Sequence, residues 1–259
     1  MVENKYYGYY GPGDNTGEFR IDKGQIMTGT TIGIVVLDCW YPIIPGNVAC
    51  ASTYNYPVRH KMIPGSKQPR VHAGDPTLVD DIVKAAQELE SEGVRAICGA
   101  CGYLGNFQDK VAAAVDAPVF LSSLLQVPMI KMSLKPGQKI GILCADAPSL
   151  KPEILAKNNI TNLDDVIIRG VGDQPEFSAI LQSDRGHFNT DGVRAEIVGA
   201  VTTMVQEHPE IGAILLECSD MPPYSADVQR AVNLPVFDFI TMINWVHQAV
   251  AQKPYYGFI

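Results

Sequence analysis

Two cysteines three positions apart, Cys98 and Cys101, are the first residues of this chain whose types and spacing could do chemistry. They lie in the segment ICGACGYLGNFQ at 97–108. A Cys-x-x-Cys spacing is compatible with a redox couple, with half of a metal site, or with two thiols of unrelated roles. The rest of the sequence separates these three alternatives.

An internal repeat distinguishes the two thiols. Shifting the chain by 117 positions lays residues 94–120 on residues 211–237 without a gap, with nine identical positions among 27. Cys101 then falls on Cys218, whereas Cys98 falls on a leucine and so behaves as an apolar strand residue. A redox pair has its first thiol at a helix start, where the helix dipole favours the thiolate, so we do not expect one here.

The elements that position Cys101 and Cys218 follow from hydrophobic periodicity. Apolar runs that alternate with helical patterns are typical of parallel sheets covered by helices on both faces, so the predicted fold class is α/β. Both cysteines follow the carboxyl end of such a run, which is where open parallel sheets bind ligands. The runs predicted as strands are 32–37, 94–100, 117–121, 139–145, 165–171, 212–217 and 234–239.

The repeat also predicts the domain organisation. A second match, offset by 108, lays IGIVVLD from residue 32 on IGILCAD from residue 140, so the two halves share one order of elements. We therefore expect two pseudo-symmetric lobes with mainly parallel sheets and a cleft between them. Lobe 1 would comprise residues 1–124 plus 238–259, with an irregular N-terminal arm over about 1–28, and lobe 2 residues 125–237.

Composition excludes several classes of partner. The 259 residues are 46% hydrophobic and 19% charged, with a net charge of -8. An acidic chain has little electrostatic attraction to nucleic acid or to anionic membrane, so we expect neither. We find no signal-peptide pattern and no run of apolar residues long enough to span a membrane, which predicts a cytoplasmic protein with reduced cysteines.

Cofactors are not expected either. The five histidines are scattered, and no second Cys-x-x-Cys supplies the four ligands of a zinc site, so we predict no metal. The chain has no Gly-rich phosphate loop, which argues against a nucleotide cofactor. The expected partner is a small-molecule carboxylate, and the sequence leaves a homo-oligomer open.

The segments around the two repeated cysteines resemble a known family. CGYLGNFQD at 101–109 and LLECSDMPPYSADVQ at 215–229, supported by GILCADAPSL at 141–150, are similar to the aspartate/glutamate/hydantoin racemase superfamily. This cofactor-independent group also contains arylmalonate decarboxylase and maleate isomerase, and the resemblance covers nearly all of 32–250. It implies two pseudo-symmetric α/β lobes with the active site between them.

The resemblance implies a role for each cysteine. In racemases of this family one cysteine thiolate removes the proton beside a carboxylate, while the other thiol delivers a proton to the opposite face. By resemblance these roles fall on Cys101 and Cys218. An unperturbed cysteine pKa of about 8.5 allows a thiol and a thiolate to coexist near neutrality, provided that the environment lowers one of the two values.

The predicted function is therefore an isomerase, a cofactor-independent racemase or epimerase of a small amino acid or a related carboxylate or hydantoin. Decarboxylases of the superfamily keep one of the two cysteines, so the pair favours racemisation. Two alternatives stay open: a decarboxylase or cis-trans isomerase of the same superfamily that uses Cys218, and a non-catalytic protein that binds a small acid.

Backbone amides beside the cysteines are candidates for substrate binding. Those around Gly102, Tyr103 and Ser219 lie at the two predicted helix starts, where free N–H groups can hold a carboxylate and its developing enolate. A glycine at position 102 would also let a ligand approach the chain closely.

Three charged side chains complete the candidate site. By resemblance, Asp38 is placed like the acidic residue near the first cysteine of related racemases, and Asp220 lies two residues after Cys218, where relatives have histidine or glutamate. Both are candidates to orient a thiol or to accept its proton. Arg59, in YNYPVRHK, is a candidate to bind a substrate carboxylate through its planar guanidinium.

Overall fold

The structure is a computed structural model that describes residues 28–181 and 186–259. The N-terminal arm predicted over about residues 1–28 therefore lies, except for its last residue, outside the described residues. In the described ranges the strands form two four-stranded sheets, and every strand pair is parallel. The predicted α/β class is thus confirmed.

The first sheet has the order β2-β1-β3-β4 and the second the order β6-β5-β7-β8. Their strands are β1 (Ile32–Val36), β2 (Val58–Met62), β3 (Ala96–Gly99), β4 (Val119–Phe120), β5 (Lys139–Cys144), β6 (Val166–Gly170), β7 (Ile211–Leu216) and β8 (Val236–Phe237). The central strands β3 and β7 are buried along their whole length, which explains their continuous apolar sequence.

Nine α-helices lie within the described residues. They are α1 (Gln68–His72), α2 (Val79–Ser91), α3 (Gln108–Ala112), α4 (Val127–Ser133), α5 (Pro152–Lys157), α6 (Phe177–Leu181), α7 (Thr190–Glu207), α8 (Ser225–Val232) and α9 (Phe239–Val250). None of these helices is long and apolar enough to cross a membrane.

The sequence repeat is also a repeat of strand register. Ile97 of β3 pairs with Val119 of β4, and 117 residues later Ile214 of β7 pairs with Val236 of β8. At the other offset, Ile32 of β1 pairs with Val58 and Ile140 of β5 with Val166. Equivalent residues therefore occupy equivalent places in the two sheets, and Cys101 and Cys218 leave their sheets at corresponding points.

The last helix packs against the first sheet. Asp238 caps α9 by accepting a hydrogen bond from the Thr241 amide, and the Thr241 hydroxyl accepts one from the Asp238 amide. The buried face of α9, which includes Phe239 and Ile243, shares a core cluster with Ile34 and Cys98. Cys98 is thus a packing residue of β3, and burial raises its pKa to about 12.

One strand differs from the prediction. β2 reads VRHKM and lies at the sheet edge, where its residues are half-buried or exposed, so its sequence lacks the apolar run of a central strand. Ion pairs fix it to the end of α2: Arg59 lies 2.9 Å from Glu92, and Lys61 pairs with Glu88. Sequence periodicity missed β2 because its polar side chains bind a helix rather than a core.

Candidate active site

Cys101 and Cys218 line one cavity of about 220 Å³ between the two sheets. Each follows the last residue of its central strand, β3 or β7, by two positions. Both are buried. The cavity is otherwise lined by Val36, Leu37, Cys39, Tyr41, Ile43, Asn47, Ala49, His60, Gln68, His72, Ala100, Gly102, Tyr103, Ala145, Leu181, Glu217, Ser219 and Asp220.

The Cys218 thiol faces a carboxylate. Its Sγ donates to Asp220 Oδ2 at 3.4 Å, while Asp220 Oδ1 accepts hydrogen bonds from the Tyr41 hydroxyl at 2.8 Å and from Asn47 Nδ2 at 2.5 Å. Burial raises the pKa of Asp220, and these three donors partly offset that rise. The arrangement places an acceptor for the thiol proton directly beside Cys218.

Both thiols are harder to ionise than a free cysteine, contrary to our expectation that the site lowers one of their pKa values. Burial is the main cause of the raised pKa of Cys101, and the charge of Glu217 adds to it. For Cys218 burial also dominates, followed by the charges of Asp220 and Glu217. The two thiols are therefore neutral at pH 7, and a positive charge placed in the cavity would favour a thiolate.

Backbone amides contribute to the site by acting on the thiols. The Tyr103 amide lowers the pKa of Cys101, and the Asp220 amide lowers that of Cys218. The segment after Cys101 is a 3₁₀-helix over Gly102–Phe107, and the one after Cys218 is a turn followed by a 3₁₀-helix over Pro222–Tyr224. A helix therefore does begin directly after Cys101, as predicted, but it is a 3₁₀-helix, whereas after Cys218 a turn precedes the helix.

Glu217 is the acid in the cavity wall that our sequence analysis missed. Its side chain is fully buried, and neither carboxyl oxygen has a hydrogen-bond partner of ordinary geometry among the described residues. Burial raises its pKa to about 8, an effect that the Ala145 amide only partly offsets. The sequence contains a signal for this residue: a carboxyl group ends the apolar run GAILLE, at the position where the first repeat has Ala100. An ionisable residue at the end of a buried strand is costly and therefore a candidate for a functional role.

Gly102 makes room for this acid. A Cβ atom at position 102 would overlap the Glu217 carboxyl group. The glycine that we expected to allow close approach of a ligand thus allows close approach of a side chain from the opposite sheet. Glu217 is also tied to the segment between the sheets, because its carbonyl oxygen accepts a hydrogen bond from the Ser123 hydroxyl at 3.0 Å.

Tyr103 lines the cavity with its ring, while its hydroxyl binds the backbone of the second sheet. The hydroxyl donates to the Asp146 carbonyl oxygen at 2.8 Å and accepts from the Asp146 amide at 2.7 Å. His72 lies against the same ring, with 3.9 Å between centroids. Burial lowers the pKa of His72, so this imidazole is neutral at pH 7.

The remaining predicted residues divide into two groups. Ser219 and Asp220 line the cavity, as predicted from their place beside Cys218. The Asp38 carboxylate instead accepts from the Gly65 amide at 3.2 Å and lies 3.2 Å from Lys67 Nζ, outside the cavity lining. Arg59 lies on β2 beside Glu92 and is not brought to the cavity.

The charges of the lining residues are all acidic. Among residues 28–181 and 186–259 the cavity is lined by the carboxyl groups of Glu217 and Asp220, and by no lysine or arginine. Burial lowers the pKa of both lining histidines, His60 and His72. In the same ranges no three His, Cys, Asp or Glu side chains lie close enough together to hold a metal ion.

Comparison with solved structures supports the fold. Unliganded arylmalonate decarboxylase matches with a TM-score of 0.55 and 13% identity, over 87% of this chain and 94% of that chain. Picrophilus torridus aspartate racemase matches with a TM-score of 0.55 and 18% identity, over 88% of this chain and 96% of that one. At such low identity the matches establish the architecture alone.

Comparison with curated proteins overturns the predicted reaction. "Dimethylsulfoniopropionate lyase 3" of Emiliania huxleyi (strain CCMP1516) is 33% identical over 239 residues, which are 88% of this chain and 61% of that protein. "Dimethylsulfoniopropionate lyase" of Durusdinium sp. clade D is 30% identical over 242 residues, 91% of this chain and 80% of that protein. This chain thus spans less than two thirds of the length of the first of these relatives.

The racemase or epimerase prediction, and with it the isomerase class, is therefore wrong, because relatives at this identity are named lyases. Two cysteines in such a cleft do not by themselves specify inversion of a stereocentre. Any reaction that begins with removal of a proton beside a carboxylate can use them. The family itself is confirmed. The model of the Asp/Glu/Hydantoin racemase family matches residues 50–245, and the chain belongs to that family.

Proposed function

We propose that this protein is a carbon–sulfur lyase that acts on dimethylsulfoniopropionate or a closely similar sulfonium carboxylate. The observation that carries the proposal is the set of ionisable groups in the cavity that holds the two cysteines: two lining carboxyl groups, whose ionised forms a cation would stabilise, and no lining lysine or arginine among the described residues. A sulfonium substrate brings the positive charge that such a cavity lacks. The names of the relatives at 30–33% identity support the same substrate.

The reaction is a β-elimination. A base removes a proton from the carbon beside the carboxylate, and the electron pair of that C–H bond forms the double bond of acrylate. The bond between the β-carbon and sulfur breaks, and its electron pair leaves with neutral dimethyl sulfide. One proton remains on the base and is later released to water, so the step needs neither an oxidant nor a second proton donor.

Cys218 is the base in this proposal. Its Sγ lies 3.4 Å from Asp220 Oδ2, so a neighbouring group is in place to take or hold the thiol proton. The sulfonium would lower the pKa of Cys218, because a cation beside a buried thiol favours the thiolate. Cys101 lines the same cavity and would contact the substrate opposite Cys218.

The test measures both products. The purified full chain, kept under reducing conditions, is incubated with dimethylsulfoniopropionate, dimethyl sulfide is measured by headspace gas chromatography and acrylate by proton NMR. We expect equimolar products from the wild type and a loss of 10²-fold or more in kcat for Cys218→Ser, the size typical of a removed general base. Cys50→Ser, which alters a thiol outside the cavity lining, is the matched control and should retain wild-type kcat.

Two results would contradict this proposal. The wild type could release no dimethyl sulfide, or could exchange the α-hydrogen with deuterated water without cleaving the carbon–sulfur bond. Full activity of Cys218→Ser would leave the lyase intact but would move the base to another residue of the cavity.

A further inference from the structure

We infer that Glu217 is the counter-ion for the onium group of the ligand, and that it selects cationic ligands over neutral ones of the same shape. The inference rests on the proposed function for its ligand class, a small carboxylate that carries a sulfonium or similar onium centre. It assigns a role to a side chain that neither the proton transfer nor the fold requires.

The geometry of Glu217 supports this role. The side chain follows β7 directly before Cys218, it lies against Gly102 directly after Cys101, and it forms part of the cavity wall. Its charge raises the pKa of both Cys101 and Cys218, so the carboxyl group lies near both thiols. A carboxyl group that served only the fold would be hydrogen-bonded, whereas both oxygens of Glu217 lack such partners in the described part of the chain.

The Ala145 amide offsets only part of the cost of burying the Glu217 carboxylate. A buried carboxylate is costly unless hydrogen bonds or a cation stabilise its charge. Asp220, the other lining acid, is instead stabilised by hydrogen bonds from Tyr41, Asn47 and Cys218. Glu217 has no compensating charge from a lysine or arginine of the described cavity lining. A ligand cation that enters the cavity is the group that can supply it, and a methylated onium centre does so without needing hydrogen bonds.

Binding of the cation should then depend on the ionisation of Glu217. Its pKa of about 8 means that it is mostly protonated at pH 7. A ligand that binds the ionised form releases a proton, so its affinity rises by about 50-fold from pH 6 to pH 8 and levels off above that. The titratable or charged groups that face Glu217 or share its cavity wall among the described residues are Asp146, Cys144, Cys39, Tyr41, His60, His72, Cys101, Tyr103, Cys218 and Asp220.

The experiment compares two isosteric probes. 3-(Trimethylammonio)propanoate carries a permanent cation and no sulfur to release, and 4,4-dimethylpentanoate has a neutral carbon in place of the nitrogen. Calorimetric titration of the full chain gives the affinity for each probe and, in two buffers of different ionisation enthalpy, the protons released. At pH 8 we expect the wild type to prefer the cation by tenfold or more, since close charge pairs at interfaces couple by at least 1.5 kcal/mol.

Substitutions test the assignment. Glu217→Gln should reduce the preference to less than threefold, abolish the proton release, and leave affinity for the neutral probe within threefold of the wild type. Glu217→Met, which buries no unpaired polar group, should do the same if the glutamine variant folds poorly. Glu153→Gln, a change of the same charge on an exposed residue of α5, should behave as the wild type.

The outcomes separate this inference from the proposed lyase. An unchanged preference in both Glu217 variants, an equal loss for both probes, or a wild type without preference would overturn the inference even if dimethyl sulfide is released. An equal loss would mean that Glu217 binds the carboxylate end of the ligand instead. A Glu217-dependent preference in a wild type that releases no dimethyl sulfide would overturn the lyase and support the inference.

Discussion

The free energy of unfolding should fall as the pH rises because Glu217 is buried, and Glu217→Gln should remove this contribution to the pH dependence. The carboxyl group is fully buried, and its pKa is raised by burial from 4.5 to about 8. Between these two values the unfolded chain loses the proton while the folded chain keeps it. The free energy of unfolding of the wild type therefore falls through this window as the pH rises, whereas a glutamine does not titrate.

The expected size follows from the two pKa values. Each pKa unit corresponds to 1.36 kcal/mol, and the window from pH 5 to pH 8 spans most of the interval between 4.5 and about 8. The advantage of Glu217→Gln over the wild type should thus grow by about 3 kcal/mol between pH 5 and pH 8. Because the side chain has no exposed surface, solvent screening does not reduce this figure.

Denaturant titrations of both proteins at pH 5, 6, 7 and 8, under reducing conditions, measure this difference. Glu153→Gln controls for the loss of one negative charge from a protein of net charge -8 and should follow the wild type. The prediction is refuted if the difference in unfolding free energy between Glu217→Gln and the wild type changes by less than about 1 kcal/mol between pH 5 and pH 8. Such a result would mean that the folded protein ionises Glu217 as readily as the unfolded chain does.

Three further predictions follow from the geometry of the cavity. Gly102→Ala should lower the free energy of unfolding by about 1–3 kcal/mol, because the added Cβ atom overlaps the Glu217 carboxyl group. In a double-mutant cycle, the same substitution in a Glu217→Ala background should lose most of that cost. Asp220→Asn keeps the shape but not the charge beside Cys218, so kcat for dimethyl sulfide release should fall by 10-fold or more, with little change in the KM measured alongside it. Arg59→Gln should change kcat/KM less than twofold, since its guanidinium pairs with Glu92 outside the cavity lining, and a larger loss would return Arg59 to the site.

Much of the fold could be predicted because the internal repeat constrains it. Residues related by the repeat pair in the same way in both sheets: Ile97 pairs with Val119, and 117 residues later Ile214 pairs with Val236. The exception, β2, shows the limit of hydrophobic periodicity. An edge strand whose polar side chains pair with α2 has neither an apolar run nor a clean alternation.

The candidate site was only partly predictable. Cys101 and Cys218 could be located because a chemically distinctive residue recurs at the same point of both halves. Tyr41 and Asn47 could not, because they reach Asp220 from the loop between β1 and β2, across about 175 residues of sequence. Asp38 follows its strand as a site residue would, but its carboxylate contacts Gly65 and Lys67 outside the cavity lining, a contact that the sequence pattern does not reveal.

The charge of the cavity explains why the reaction could not be predicted from the thiols. Removal of a proton beside a carboxylate yields a carbanion whose fate depends on what the neighbouring carbon carries. If that carbon carries only hydrogen, the carbanion can only be reprotonated. If it carries a sulfonium group, the carbon–sulfur bond breaks and a neutral sulfide departs with its electron pair. The enzyme influences this choice through the substrates that it admits. In the reaction that we propose, that selection would depend on Glu217 and Asp220, in a cavity lining without lysine or arginine among the described residues. Glu217 differs from its repeat partner, Ala100. A substitution at one wall position, rather than at either cysteine, is therefore the change that we expect to alter which acids enter.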